Sequence, residues 1–166
     1  MTLRAIVTGA STGIGAATVR ALSVAGWEVV AVARRADRLA AIAAETGARA
    51  ITADLMTDAD VDRLVAELSD GRGVDALINV AGGARGAESV EHGSIDDWRW
   101  MFEANVLATK RLTTAVLPLL RRAATDRGVG SIVTVTSTAA FTAYQGGGGY
   151  NAAKFAEHAM FAAMRL

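Results

Sequence analysis

Five short apolar runs, separated by segments with helical spacing, constrain what this chain can fold into more than any other feature. The runs are rich in Val and Ile and almost continuously apolar, which is typical of strands covered on both faces of a parallel sheet. They occupy residues 3–8, 27–33, 48–52, 74–80 and 131–136. Apolar residues recur at helical intervals in the four segments 14–25, 37–45, 58–69 and 94–122.

This alternation predicts an α/β fold built on a doubly wound parallel sheet with right-handed crossovers. A chain of 166 residues with no linker or repeat is interpreted as one domain, residues 1–166. Ligands of such sheets bind at the carboxyl ends of the strands, so functional residues are expected just after each run. Pro118 lies inside the last helical segment and predicts a kink or break near its end.

Composition and charge exclude several functions. The chain carries 17 basic and 17 acidic side chains, so it lacks the basic excess of a nucleic-acid-binding protein. It has no cysteine and two histidines, which argues against disulfides and against a metal site. No apolar run reaches the roughly 18 residues of a membrane-spanning helix, and the N-terminal residues do not resemble a signal peptide. We therefore expect no membrane or nucleic-acid partner and a cytoplasmic location.

The segment TGASTGIG, residues 8–15, follows the first predicted strand and precedes the first predicted helix. Glycines at such a position let the backbone approach a phosphate, and the helix N-terminus adds free N–H groups and the positive end of a dipole. A dinucleotide-binding loop requires this strand-before and helix-after context. The alternative is a tight turn whose glycines only allow strand and helix to pack closely.

This segment resembles the cofactor loop of the short-chain dehydrogenase/reductase family, whose pattern is Thr-Gly-x-x-x-Gly-x-Gly. The resemblance implies a Rossmann-like fold that binds a nicotinamide dinucleotide and transfers hydride between a carbonyl and an alcohol. The loop positions that it assigns to the cofactor site are Thr8, Gly9, Ser11, Thr12, Gly13, Ile14 and Gly15.

The second predicted strand ends in Ala33-Arg34-Arg35, without the carboxylate that would bind the ribose hydroxyls of NAD. A guanidinium can instead pair with the additional 2′-phosphate of NADP. We interpret Arg34 as the phosphate ligand and Arg35 as a helper or a solvated residue. This predicts NADP(H) as the preferred cofactor, with NAD(H) possible. The alternative is that both arginines are surface charges at the start of a helix.

The ends of the third and fourth strands complete the predicted cofactor site. The fourth ends in Asn79-Val80-Ala81-Gly82, where the family usually has Asn-Asn-Ala-Gly, so Val80 is a departure. The resemblance implies that Asp54 binds the adenine amino group, and the alternative is a turn or helix-capping aspartate. The positions assigned to the cofactor here are Asp54, Leu55, Asn79, Ala81 and Gly82.

Tyr150 and Lys154 are four positions apart, so they share one face of a helix if one begins near residue 150. A phenol with an ordinary pKa of about 10 needs its anion stabilised to act near neutral pH. A neighbouring ammonium does this by favouring the charged form. The pair alone is a weak signal, because Tyr-x-x-x-Lys often arises by chance.

The resemblance adds two further catalytic residues. It implies that the hydroxyl of Ser137, thirteen residues before Tyr150, binds and polarises the substrate oxygen. It also implies that Asn105, in FEANVLATK, binds a water that is linked to Lys154. Tyr150 then passes the proton, while Lys154 also contacts the ribose of the cofactor, which places both residues in the cofactor site as well.

Residues 146–149 are four glycines directly before Tyr150. We interpret them as a loop that adapts or closes next to the substrate, the alternative being a slack surface loop. Family members usually continue well beyond this length. The resemblance therefore implies five strands in the order 3-2-1-4-5, truncated relative to the family fold, with the fifth strand on an open edge. Either the sequence is a fragment or another chain completes the site.

Two classes of function remain open at this point. The leading one is an NADP(H)-dependent oxidoreductase that acts on a small-molecule carbonyl or alcohol. The alternative is a non-catalytic cofactor-binding or interaction module. The resemblance also implies a homo-oligomer formed through helices within residues 100–122 and 150–166.

Overall fold

The computed structural model describes residues 2–165. Its centre is a sheet of five strands in the order β3-β2-β1-β4-β5, and every neighbouring pair of strands is parallel. The strands are β1 Arg4–Thr8, β2 Glu28–Ala33, β3 Arg49–Thr52, β4 Ala76–Asn79 and β5 Ser131–Thr134. Each lies within a run predicted from the sequence, and the predicted strand order is confirmed.

The helices cover both faces of the sheet. They are α1 Gly13–Val24, α2 Ala36–Thr46, α3 Asp58–Leu68, α4 Ile95–Phe102, α5 Ala108–Arg127 and α6 Gly148–Ala163. A π-helical segment, Glu103–Leu107, joins α4 to α5, and a 3₁₀ turn, Thr138–Ala140, follows β5. No helix within residues 2–165 combines the length and apolarity that crossing a membrane requires.

Alternate residues of the central strands enter two separate cores. Ile6 of β1 packs with buried residues of α3 and α5, such as Leu64 and Leu112. Its neighbours Ala5 and Val7 face the opposite core, on the side of α1 and α2. Both faces of a strand are buried in this way, which explains why the runs are almost continuously apolar.

Pro118 predicted a kink or a break in the last helical segment, and the break is wrong. α5 contains Pro118 and continues to Arg127, ending at Gly128 in the left-handed conformation that favours glycine, with φ of 74°. Proline removes one helical hydrogen bond. Val116, Leu119 and other α5 residues are nevertheless buried in the core, and this packing stabilises the helix on both sides of the proline.

β5 lies at one edge of the sheet, since it pairs with β4 on one side and with no other strand among residues 2–165. Val133 in β5 is correspondingly half exposed. The family resemblance implied that the sheet would be open at this edge. β5 nevertheless positions the 3₁₀ turn and α6, which carry Ser137, Tyr150 and Lys154.

Candidate active site

A cleft of about 770 Å³ lies at the carboxyl ends of β1 to β4. Its walls come from the loop after β1, from the ends of β2 and β3, from the loop after β4, and from Trp100 of α4. The predicted cofactor positions that line it are Gly9, Ser11, Thr12, Ile14, Arg34, Arg35, Asp54, Leu55, Ala81 and Gly82. The site therefore lies where ligands of doubly wound sheets bind.

The glycines of the loop after β1 allow close backbone contacts. Gly9 has φ of +63°, and a Cβ there would lie 3.0 Å from the backbone nitrogen of Ala81. A Cβ on Gly15 would lie 2.3 Å from the carbonyl oxygen of Gly9. The loop thus packs tightly on α1, as the alternative interpretation required, while Ser11, Thr12 and Ile14 beside the N-terminus of α1 border the cleft.

Six predicted cofactor positions lie outside the lining of the cleft: Thr8, Gly13, Gly15, Asn79, Tyr150 and Lys154. The Thr8 hydroxyl accepts hydrogen bonds from the backbone N–H groups of Val80 (2.9 Å) and Ala81 (3.0 Å). The Asn79 amide donates to the hydroxyls of Thr113 (3.2 Å) and Thr134 (3.3 Å). These two side chains fix the loop after β4 and hold β4 to its neighbours.

The two arginines at the end of β2 have different partners. Arg35 donates from Nη2 to the hydroxyls of Ser11 (3.1 Å) and Thr12 (3.0 Å), which ties the end of β2 to the loop after β1. Arg34 is exposed and forms no salt bridge with any residue in the described range 2–165. A cation is therefore available at the rim of the cleft.

Asp54, at the end of β3, uses one carboxylate oxygen locally. Its Oδ1 accepts from the backbone N–H of Met56 at 3.1 Å, which is the turn geometry that the alternative interpretation foresaw. It is not the N-cap of α3, because that position belongs to Thr57, whose hydroxyl accepts from the backbone N–H of Asp60. Asp54 also lines the cleft.

Tyr150 and Lys154 lie in the first two turns of α6, which begins at Gly148. The Nζ atom of Lys154 is 6.0 Å from the centroid of the Tyr150 ring. It donates to the carbonyl of Val135 (3.5 Å) and to Oε2 of Glu157 (2.7 Å). A Cβ on Gly82 would lie 3.6 Å from this nitrogen, so the ammonium adjoins the wall of the cofactor cleft.

Asn105 is fully buried in the π-helical segment. Its Nδ2 donates to the carbonyls of Met101 (2.7 Å) and Gly83 (2.8 Å), and its Oδ1 accepts from the backbone N–H of Gly83 (3.0 Å). The side chain therefore binds the loop after β4. The water link implied by the resemblance stays a prediction. π-helical turns are rare in proteins as a whole, and many of those that occur lie at functional sites.

Ser137 is the N-cap of the 3₁₀ turn, where its hydroxyl accepts from the backbone N–H of Ala139 at 3.1 Å. The turn packs against α6, and Val135, two residues earlier, accepts from Lys154. Ser137 therefore lies at the same end of the fold as Tyr150. Tyr150 itself lines a smaller pocket of about 90 Å³, separate from the larger cleft.

The glycines before Tyr150 are packed rather than slack. Gly146 has φ of +77°, and a Cβ there would lie 2.5 Å from the carbonyl oxygen of Ala87. A Cβ on Gly149 would lie 2.3 Å from the Cε of Met101. Close approach of α6 to α4 and to the loop after β4 explains these glycines, so the slack-loop alternative is wrong.

Sequence reasoning missed two polar residues of α6. Asn151 donates to the carbonyls of Ala139 (2.9 Å) and Thr142 (3.0 Å) and accepts from the backbone N–H of Tyr144 (3.4 Å). Glu157 is buried beside Lys154. Burial raises the pKa of the Glu157 carboxyl, and the hydrogen bond from Lys154 acts in the opposite direction. The available signal was helical spacing from Lys154, because Asn151 lies three positions before it and Glu157 three positions after it.

The comparisons with known proteins identify the family. The chain belongs to the short-chain dehydrogenase family, whose model matches residues 4–166. An uncharacterised oxidoreductase of Mycobacterium tuberculosis is 52% identical over 97% of this chain and 61% of its own length. An NADP-dependent 3-hydroxy acid dehydrogenase of Salmonella typhi is 36% identical over 90% of this chain and 60% of its own.

A solved structure extends the comparison to the fold. The closed form of a serine dehydrogenase complexed with NADP+ matches with a TM-score of 0.83 and 32% identity, over 92% of this chain and 61% of that one. The chain thus spans about three fifths of the length of these relatives. Within residues 2–165, no cluster of three or more His, Asp or Glu residues could hold a metal ion.

Replacing Asn151 with alanine is expected to loosen the loop between β5 and α6. The substitution removes hydrogen bonds to Ala139, Thr142 and Tyr144, and losing buried bonds of this kind costs about 1–3 kcal/mol. Amide hydrogen exchange across residues 139–144 should accelerate at least about fivefold.

The matched control is Gln145→Ala, an exposed residue in the same loop. It is expected to leave exchange across residues 139–144 unchanged. Equal exchange in the Asn151→Ala and Gln145→Ala proteins would show that Asn151 does not hold this loop.

Proposed function

We propose that the protein containing this chain is an NADP(H)-dependent oxidoreductase that interconverts a carbonyl and an alcohol by hydride transfer. The observation that carries this proposal is the position of Gly82. It lines the cofactor cleft, and a Cβ there would lie 2.5 Å from Oδ1 of Asn105 and 3.6 Å from Nζ of Lys154. A ligand in the cleft is therefore adjacent to the tyrosine–lysine helix.

The residues around the cleft fit a dinucleotide with an additional phosphate. Gly9 and Gly15 remove the Cβ atoms that would otherwise clash with backbone, and the N-terminus of α1 favours a phosphate. Arg34 supplies a cation for the 2′-phosphate, with Arg35 beside it. Asp54 retains an oxygen for the adenine amino group. The bound cofactor supplies or accepts the hydride.

The protein's own residues transfer the proton and bind the substrate oxygen. The Ser137 hydroxyl donates a hydrogen bond to the carbonyl oxygen and holds it next to Tyr150. The Tyr150 phenol gives its proton to that oxygen during reduction and takes it back during oxidation. Lys154 stabilises the phenolate and contacts the ribose, and Asn105 keeps the loop after β4 in place.

Relatives support the choice of cofactor and of reaction. The 36% identical relative is named an NADP-dependent 3-hydroxy acid dehydrogenase, and the serine dehydrogenase structure contains NADP+. The first name describes dehydrogenation of a 3-hydroxy acid and the second describes dehydrogenation of serine, and both substrates are small molecules. We propose the same class of reaction here, with the substrate oxygen held between Ser137 and Tyr150.

Arg34→Ala is expected to weaken NADPH binding about tenfold and to change NADH binding less than about twofold. The reason is that the 2′-phosphate loses its cation, whereas NADH has no phosphate at that position. Tryptophan fluorescence can follow both titrations, because Trp100 lines the cleft. The difference should shrink at high ionic strength, since the contact is exposed and screened by salt.

Arg38→Ala is the control, because Arg38 is an exposed arginine of α2 outside the cleft lining. It is expected to leave both affinities unchanged. Equal binding of NADPH and NADH, or equal losses in the two variants, would contradict the phosphate role of Arg34.

Tyr150→Phe is expected to lower turnover by at least about 100-fold, because it removes the proton donor and keeps the ring. Affinity for NADPH should stay within about twofold. The measurement uses the whole protein that contains this chain, screened with carbonyls and NADPH or with alcohols and NADP+.

Tyr144→Phe is the matched control, since Tyr144 is the other tyrosine of the chain and is exposed. It should leave turnover near that of the parent protein. Turnover retained by the Tyr150→Phe variant would remove Tyr150 from the mechanism. Cofactor binding without turnover in the parent protein would favour the non-catalytic module.

We also propose that the protein is a homo-oligomer that pairs through α5 and α6 across a two-fold axis. Phe155 of α6 is 44% exposed, and such an apolar side chain is suited to an isologous contact. Light scattering at micromolar concentration is expected to show an oligomer, and Phe155→Arg is expected to dissociate it. A parent protein that is strictly monomeric would refute this assembly.

A further inference from the structure

Lys154 is a buried cation whose ammonium contacts a buried carboxylate. Its Nζ lies 2.7 Å from Oε2 of Glu157, and the two side chains are 5% and 1% exposed. Tyr150, Lys154 and Glu157 follow one another at i, i+4 and i+7 along α6, so they form one stripe on the helix. Lys154 lies between the other two.

Other charged groups near this stripe have their own partners or lie elsewhere. α6 packs against the 3₁₀ turn Thr138–Ala140, which carries no ionisable side chain, and against α4 and the π-helical segment. On α4, Asp96 pairs with Arg99, and Glu103 of the π-helical segment pairs with Arg111. Ionisable residues that line the small pocket with Tyr150 are Arg85, Glu88, Asp97 and Tyr144.

The remaining ionisable neighbour on α6 is His158, whose ring packs edge-on against Phe141 with centroids 4.5 Å apart. Among residues 2–165, Glu157 is the single acidic side chain in salt-bridge contact with Lys154. The ammonium has three donors, and Glu157 and Val135 accept two of them. One donor remains for a ligand on the Gly82 side.

A buried lysine needs a partner of opposite charge. Desolvation disfavours a buried ammonium and can shift its titration by several pH units. A carboxylate in contact opposes this effect, and breaking a buried ion pair leaves an uncompensated charge. The Tyr150 phenolate cannot serve as the permanent partner, because the proposed reaction protonates it in every cycle.

We propose that Glu157 is a positioning residue that keeps Lys154 charged and oriented, so that Lys154 can stabilise the phenolate of Tyr150. This inference rests on the roles proposed above for Tyr150 and Lys154. Glu157 touches neither the cofactor cleft nor the small pocket in the structure. It therefore acts through Lys154 alone.

The direct test is a titration of Lys154. In NMR of the protein with labelled lysine, the Lys154 signal is identified as the one that a Lys154→Arg variant lacks, and Lys110→Arg identifies the signal of the other lysine in this sequence. In Glu157→Gln, the pH midpoint at which Lys154 loses its proton is expected to fall by roughly 1–3 units. A fall of less than about half a unit would overturn the proposal.

A second titration follows the consequence at Tyr150. The ultraviolet absorbance of the Tyr150 phenolate is measured as the difference between a protein that contains Tyr150 and its Tyr150→Phe variant. Glu157→Gln is expected to raise its midpoint, since a neutral lysine no longer stabilises the anion. An unchanged midpoint would mean a merely structural role. A lowered midpoint would mean that Glu157 opposes Lys154, which also contradicts the proposal.

Two further variants separate charge from packing. Glu157→Leu removes the charge and keeps a side chain of similar size, so both midpoints should move as in Glu157→Gln. Glu157→Asp keeps the charge and should move them less than either. Neither titration requires turnover, so an inactive chain and an unresponsive Lys154 are distinguishable outcomes.

Discussion

The three hydrogen bonds of the Asn105 amide are the interaction on which the rest of the site depends. They hold Gly83 and Met101 and thereby fix the loop after β4 against the segment between α4 and α5. That loop forms one wall of the cofactor cleft, and Gly82 within it adjoins Lys154. Any side chain at Gly82 would displace Asn105. The buried Asn105 amide thus fixes the position of the binding cleft relative to the helix that carries Tyr150.

The sheet and the lining of the cleft could be predicted from the sequence because both depend on local patterns. Strands buried on both faces have almost continuously apolar sequences, which can be recognised directly. The predicted Rossmann-like order of the strands was confirmed. The loop after β1 was found from its glycines and from its position between strand and helix. The break predicted at Pro118 was wrong because the free-energy cost of a proline in a helix is local. The burial of Val116 and Leu119, which outweighs that cost, involves residues distant in sequence.

The features that sequence reasoning missed depend on distances between elements. Glycines 146–149 suggested freedom, yet Gly146 and Gly149 are constrained by Ala87 and Met101, which lie on segments far away along the chain. Helical spacing places Glu157 near Lys154, but only the packing around α6 shows that both are buried and paired. The π-helical turn at Asn105 has no sequence signature at all, because an asparagine in a helix is usually a solvated residue.

Arg34 and Lys154 are two cations of this site that lie in opposite electrostatic environments, one exposed and one buried. Arg34 stays in solvent, where it is charged without help and where a phosphate that approaches from the cleft can displace its water. Lys154 must be charged within the protein, and there burial favours the neutral form. A dry environment strengthens the action of a cation on a nearby phenol, but the same environment requires a permanent anion for that cation. In the proposed mechanism, Glu157 supplies this anion from the side of Lys154 away from Tyr150 along α6, which leaves the phenol free to exchange its proton.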